Sequence, residues 1–350
     1  MMKCFRVALL LCLSLLLTVS LCACGYKPVA STAEEGRAVF FLDGTHEVKY
    51  ELFRFVFLQK KQAESDGNEE YFANKNKTEL FERYAEEAEA EAAKVYAMFS
   101  LCSKYGIDPY SEEIEEEITE TLKQTIKGDD ATPGYGSQKA YLEDIKSQFL
   151  NDSVYRLYLR YDVCERRLAA KLKQDDIIQA KWEDVFSYYN GEETVRATWI
   201  LIPYSNLEGY TAGMKQTLWA EASEKSNADF TSMAAQYATI QSAEEMATGI
   251  YFGKYEYDTL YKELVDTAFS LAEGETSEPF YSGDGLYIVR RLPKDVQYLA
   301  DESNRDLLNE GYMLNAFGQM LAEEELRLLD AISYTDYYAT LTFDSIKMSD

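Results

Sequence analysis

Two strand-like stretches bracket the middle of this chain and constrain its fold more than any other feature: Val195-Arg-Ala-Thr-Trp-Ile-Leu-Ile202 and Gly285-Leu-Tyr-Ile-Val-Arg290. In the first, a two-residue period puts Val195, Ala197, Trp199 and Leu201 on one face and Arg196, Thr198, Ile200 and Ile202 on the other. Both faces are largely apolar, so the strand is expected inside a covered sheet. Between the brackets, Asn227-Ala-Asp229 offers helix caps ahead of Phe230, Met233, Ala234 and Tyr237. A second amphipathic helix is expected after Asp258, with Leu260, Leu264, Ala268 and Phe269 on one side. Gly274 stops it, Glu278-Pro279 must be extended, and Ser282-Gly-Asp-Gly285 turns the chain. The order is strand, helix, glycine-containing loop, helix, strand, and its ~100 residues suit one small domain.

These phrases resemble the parvulin-type peptidyl-prolyl isomerases. Val195–Ile202 corresponds to the family's first strand and Gly249-Ile-Tyr-Phe-Gly253 to its glycine loop. Thr267-Ala-Phe-Ser-Leu-Ala-Glu-Gly-Glu-Thr-Ser-Glu-Pro279 corresponds to its last helix and turn, and Gly285–Val289 to its last strand. The resemblance implies a histidine on the first strand, a cysteine or aspartate after the first helix and a second histidine on the last strand. Here those positions hold Trp199, Ile240 and Tyr287. The chain has one histidine, His46, far outside this unit, so no realignment restores the polar pocket. Leu260 and Leu264 stand where the family keeps its proline-contacting apolar residues, and Phe252 of the glycine loop joins them as a candidate substrate contact. A desolvating apolar pocket could lower part of the barrier to amide rotation. Equally, these residues are ordinary core, with Trp199 and Tyr287 filling the space that histidines keep polar in the family. Isomerase activity is therefore expected to be weak or absent.

With 47% hydrophobic and 14% aromatic residues the chain folds, and its length allows two or three domains. A formal charge of −26 argues against nucleic acid and against electrostatic docking on anionic lipid. The N-terminus has a basic start followed by an uncharged, leucine-rich run from Val7 to Cys24, the pattern of an export signal. Its junction, Leu21-Cys22-Ala23-Cys24-Gly25, resembles a bacterial lipobox, which implies a signal over 1–23 and lipidation of Cys24. The alternative is an uncleaved anchor, and both place the body outside the cytoplasm. Four of the six cysteines lie in this region, leaving Cys102 and Cys164 for the body without zinc spacing or a CxxC motif. Buried thiols or a disulfide between them both remain open. No metal or cofactor is implied, and His46, alone after a turn, reads as a solvated turn residue.

Residues 24–37 are small and polar and suggest a flexible tether. Ala38-Val-Phe-Phe-Leu42 reads as a strand, Asp43-Gly44 as a turn, and the chain then enters a helix with Leu52, Phe53, Val56 and Phe57. Further helices follow: one ending at Gly106, one after Asp108-Pro109, one long helix from Tyr141 to Lys173, and one from Ile177 to Tyr189. Glu112, Glu113, Glu115, Glu116 and Glu117 point around their helix rather than converging, so a solvated acidic face is expected, not a cation site. A last helix from Asp301 to Leu329 is expected to return to the N-terminal helices, and a final strand after Ala331 can pair with Ala38–Leu42.

That split order resembles the extracytoplasmic foldases of the PrsA lipoprotein type and the periplasmic SurA-type chaperones. The expected fold is α+β. A mostly helical domain would be built from 38–191 and 295–350, with a parvulin-like domain of antiparallel sheet and helices inserted at 192–294. The resemblance implies a membrane-anchored folding factor whose partners are unfolded or newly exported polypeptides, gripped in an aromatic-lined cradle for which Tyr155, Tyr158 and Tyr161 are candidates. The rival readings are an active isomerase with a rewired pocket, or a ligand- or partner-binding lipoprotein on the same scaffold.

Overall fold

The structure is a computed structural model of the 350-residue chain, describing residues 26–65, 67–128, 132–203, 212–237, 248–255, 261–282 and 285–348. The chain divides into two compact units, Met1–Lys171 with Glu323–Asp350, and Leu172–Ala322. The second unit is thus inserted between helical N- and C-terminal segments. Among the described residues no helix is long and apolar enough to cross a membrane. The expected signal, with Cys24, lies outside the described residues.

In the first unit, β1 (Ala38–Leu42) and β2 (His46–Lys49) form a hairpin that turns through Asp43 (φ 47°) and Gly44 (φ 73°). The last strand, β7 (Ser333–Tyr334), pairs with β1 through Phe40 opposite Tyr334 and Phe41 opposite Ser333. The tail therefore does pair with Ala38–Leu42, joining the two ends of the chain in one sheet of order β2-β1-β7. On it pack α1 (Tyr50–Ser65) and α2 (Lys77–Lys104), whose buried Leu80, Tyr84, Ala88, Val95 and Phe99 follow the spacing read from the sequence. The Asn76 side chain caps α2 by accepting from the backbone N–H of Thr78 and Glu79. Cys102 and Cys164 are buried free thiols, with Cys102 Sγ donating to the Cys164 carbonyl at 3.6 Å.

The first unit departs from the expectations at three places. Residues 26–37, read as a tether, are fastened to the body. Tyr26 is buried and donates to Asp152 (2.6 Å), the Val29 N–H donates to the same carboxylate (2.9 Å), and Lys27 exchanges two hydrogen bonds with the Gln138 amide. Composition suggested flexibility, but a buried carboxylate needs donors, and this segment supplies them.

The second correction concerns the long helix expected over Tyr141–Lys173, which is two helices, α4 (Gln138–Ser147) and α5 (Asp152–Gln174). After α4 the chain turns through Phe149 at φ 65°, its N–H bonding to Lys146 and that of Leu150 to Ile145. Asn151 then caps α5 by accepting from the Val154 N–H (2.9 Å). The run Asn151-Asp152-Ser153 carries the cap signal that the apolar spacing concealed.

Thirdly, the acidic face of α3 (Glu112–Lys127) is not simply solvated. Glu115 pairs with Arg156 and Arg160 of α5, Glu117 with Arg166 and Arg167, and Glu113 with Arg167. Arg156 and Arg160 are mostly covered, so these pairs orient α3 on α5 more than exposed pairs do.

The inserted unit is built on a four-stranded antiparallel sheet of order β4-β3-β6-β5. Its centre is β3 (Thr194–Pro203) paired with β6 (Gly285–Leu292), flanked by β4 (Ile250–Gly253) and β5 (Phe280–Ser282). The stretch read as a glycine loop is thus strand β4. Its glycines are required by packing: Gly249 has φ 71° and an added Cβ would lie 2.6 Å from the Leu292 side chain, while a Cβ on Gly253 would collide with the Tyr188 hydroxyl. Helices α7 (Ala212–Glu224) and α8 (Asn227–Tyr237) cover one face of the sheet, and α9 (Lys262–Ser270) the other.

Below β4, α6 (Trp182–Asn190), the short α10 (Val296–Ala300) and the first part of α11 (Arg305–Leu329) share a core of Val185, Tyr188, Tyr189, Tyr251, Leu299 and Leu308. Sequence reading assigned all of the last helix to the terminal unit. Instead its residues up to Ala322 belong to the inserted unit, where Tyr312 meets Tyr188 edge-on at 5.3 Å and Asn315 accepts from the Tyr255 N–H.

Candidate functional site

The period-two pattern of β3 is observed as read. Val195, Ala197, Trp199 and Leu201 face α9, while Ile200 and Ile202 face α7 and α8. In the register of β3 with β6, Trp199 stands opposite Val289 and Leu201 opposite Tyr287. Trp199 and Tyr287 are therefore diagonal neighbours on one face, a placement in which cross-strand pairs of long side chains remain within reach. They are 6% and 3% exposed and belong to one apolar cluster with Phe252, Leu264, Val265 and Leu271. Phe280 of β5 stacks on Tyr287 at 5.8 Å and 19°. At the edge of this face Ser282 donates to Glu263 at 2.9 Å.

The arrangement brings together two of the three positions that sequence comparison marked as a pocket, and it fills them with rings. Ile240 and Leu260 lie outside the described residues. Phe252 and Leu264, expected as substrate contacts, are 0% and 1% exposed and serve as packing between sheet and α9. Tyr155 and Tyr158, expected to line a cradle, are in the first unit: Tyr155 packs edge-on to Tyr141 (5.6 Å), and Tyr158 donates to Glu91 (2.9 Å) with its ring against Phe55. Burial and the Glu91 charge both raise the Tyr158 phenol pKa, so it stays a donor throughout the physiological range. Among the described residues no group of histidine, cysteine, aspartate and glutamate side chains could hold a metal ion.

On the opposite face of β6 sits a residue the sequence did not single out. Arg290 is 2% exposed and donates to the carbonyls of Ala222 (2.7 Å) and Lys225 (2.8 Å) and to Thr276 Oγ1 (2.8 Å), with its guanidinium 4.4 Å from the Phe230 ring. It thus satisfies carbonyls at the C-terminal end of α7, where the helix dipole favours a cation. At the entry to β3, Lys294 donates to the Tyr189 carbonyl (2.6 Å), to Thr194 Oγ1 (2.7 Å) and to the Gly191 carbonyl. Burial, with the Arg291 charge, lowers its pKa to about 8. These two cations fix how strand and helices meet.

Residues 209–292, which run from just before α7 to the end of β6, match the Rotamase family, PPIC-type PPIASE domain. The chain carries a PPIC-type rotamase domain. It is also similar to the foldase protein PrsA of Oceanobacillus iheyensis, with 25% identity over 180 residues, 51% of this chain and 52% of that protein. The chain thus spans about half the length of that curated relative. Among solved structures it is similar to PrsA from Bacillus subtilis (20% identity, 72% of this chain and 87% of that one, TM-score 0.25). It is likewise similar to foldase protein PrsA from Streptococcus pneumoniae (16% identity, 73% and 86%, TM-score 0.32). The match to the rotamase domain agrees with the sheet and helices just described. Tyr287, Phe252 and Leu264 lie within the matched residues, whereas Trp199 is on β3, which precedes them and pairs with β6.

Proposed function

We propose that this protein is an extracytoplasmic folding factor, held to the membrane by a lipid on Cys24, that binds unfolded, newly exported polypeptides and uses its rotamase domain as a binding scaffold more than as an isomerase. The observation that carries this reading is the burial of Trp199 and Tyr287. Rotation about a prolyl bond requires a cavity that admits the amide and groups that stabilise its twisted form. Here the same face is closed by an indole, a phenol and the Phe280 ring. The similarity to PrsA-type foldases supports client binding and a place outside the cytoplasm.

Two measurements on the purified protein test the activity. It should suppress the aggregation of a denatured client, followed by light scattering, at near-stoichiometric ratios, and should leave cis/trans exchange of a proline tetrapeptide within about twofold of the uncatalysed rate, set by a barrier of ~18–20 kcal/mol or somewhat less. Strong acceleration of the tetrapeptide would favour the active-isomerase reading. Absence of both effects would leave the ligand-binding scaffold.

Anchoring is tested separately. In a bacterial host the chain should fractionate with membranes and incorporate labelled fatty acid, and Cys24→Ala should abolish the label. Label retained in that variant would refute a lipid at this position.

A further inference from the structure

The break between α4 and α5 opens a groove in the first unit with a volume of about 1060 Å³, walled by the N-terminal segment, α1, the α4–α5 turn and the C-terminal tail. That size is at the upper end of ordinary ligand sites. Its lining is mixed. Val29, Leu142 and Phe149 supply apolar surface, and Glu35, Glu51 and Asn151 form a hydrogen-bonded polar wall in which Asn151 donates to Glu51 at 2.9 Å and to Glu35 at 3.2 Å.

Phe149 is the unusual member. Among the described residues the other non-glycine positions with positive φ are aspartates, which tolerate this region through short polar side chains, whereas a bulky ring at φ 65° carries a steric penalty. Glycine is the ordinary choice at this position of a helix end. The ring is only half-buried, so full burial does not offset the cost. Its neighbour Gln148 is held in place by Gln59, which donates to its carbonyl at 2.9 Å.

We propose that this groove binds an extended stretch of unfolded polypeptide carrying basic and apolar side chains, with Phe149 as its aromatic contact. The proposal rests on the polypeptide-binding function given above and adds to the rotamase scaffold a holding place in the first unit. A basic segment is indicated by charge: with Asp152 set aside because Tyr26, Val29 and Tyr141 already donate to it, four carboxylates face three cations in the lining, within a protein of formal charge −26. Backbone N–H groups and basic side chains of an extended chain suit the carboxylates of the polar wall, and its apolar side chains suit Phe149, Leu142 and Val29.

The test uses the full chain and two fluorescently labelled peptides, one alternating Phe and Lys and the other Phe and Glu, with binding read by anisotropy. The Phe/Lys peptide should bind and the Phe/Glu peptide should not. Phe149→Gly should weaken binding about tenfold or more, the loss expected for an aromatic anchor, while raising the melting temperature by a few degrees because the strained backbone position is relieved. Phe149→Ala should lose the same binding without the gain in stability. Equal binding by the Phe149→Gly variant, or equal binding of both peptides, overturns the proposal. If the wild-type chain binds neither peptide yet suppresses client aggregation, the groove is wrong and the folding-factor reading stands; if it does neither, both fail.

Discussion

Replacing Arg290 with leucine should lower the stability of the rotamase unit by about 3 kcal/mol, because hydrogen bonds from a charged donor are each worth ~1.5–3 kcal/mol and the leucine recovers only part of that through burial. The carbonyls of Ala222 and Lys225 lose their donor within a site that is almost closed to water, and the ring of Phe230 loses its cation. Arg290→Lys should fall between, since an ammonium keeps the charge but not the fork that reaches two carbonyls and a hydroxyl together. The chain offers a convenient reporter: its three tryptophans, Trp182, Trp199 and Trp219, all lie within Leu172–Ala322. Tryptophan fluorescence during urea unfolding therefore follows this unit alone. A fluorescence midpoint unchanged in Arg290→Leu would show that the guanidinium is not what closes α7 onto β6.

How much of this was legible in the sequence depends on the distance between partners. The faces of β3 were readable because alternation is a local property, and Trp199 and Tyr287 emerged as neighbours once two strands were placed in one sheet. The insertion and the pairing of the tail with Ala38–Leu42 were readable from the order of parts. Features made by distant partners were not. The acidic run of α3 has its arginines on α5, some fifty residues on, as in the pair of Glu117 with Arg167. Arg290 looked like any strand-end cation because its acceptors, at the end of α7 and at Thr276, are distant in sequence or on another element. The helix break at Phe149 was missed for a different reason: apolar spacing continued across it, and an aromatic residue gives no hint of a positive φ. Asn151-Asp152-Ser153 was the available clue, and cap chemistry should have outweighed periodicity there. Strand β4 was read as a loop because its flanking glycines suggest turns, although close packing against Leu292 and Tyr188 explains them equally well.

The largest effect in the first unit should come from Lys61, which sits in α1 at 1% exposure and donates to the carbonyls of Phe343 (2.9 Å) and Ile346 (2.6 Å). Its ammonium also lies 4.0 Å from the Phe343 ring, which packs on Phe57, Phe72 and Tyr84. One side chain thus fixes the C-terminal tail beneath α1. Lys61→Met keeps most of the volume and removes both donors, so two carbonyls lose their partner at a cost of about 2–4 kcal/mol. Amide hydrogen exchange around 341–348 should accelerate most.

The pH dependence has a definite sign. Burial lowers the Lys61 pKa below its ordinary value of ~10.4, so between the two values the unfolded chain binds more protons and stability rises with pH. A neutral amine still has two N–H groups for its two acceptors. The stability advantage of wild type over Lys61→Met should accordingly increase from neutral pH towards pH ~10, measured as the difference in urea midpoints with matched m-values. A constant difference across that range, together with unchanged exchange in the tail, would mean that Phe343 and Ile346 hold the tail by packing alone.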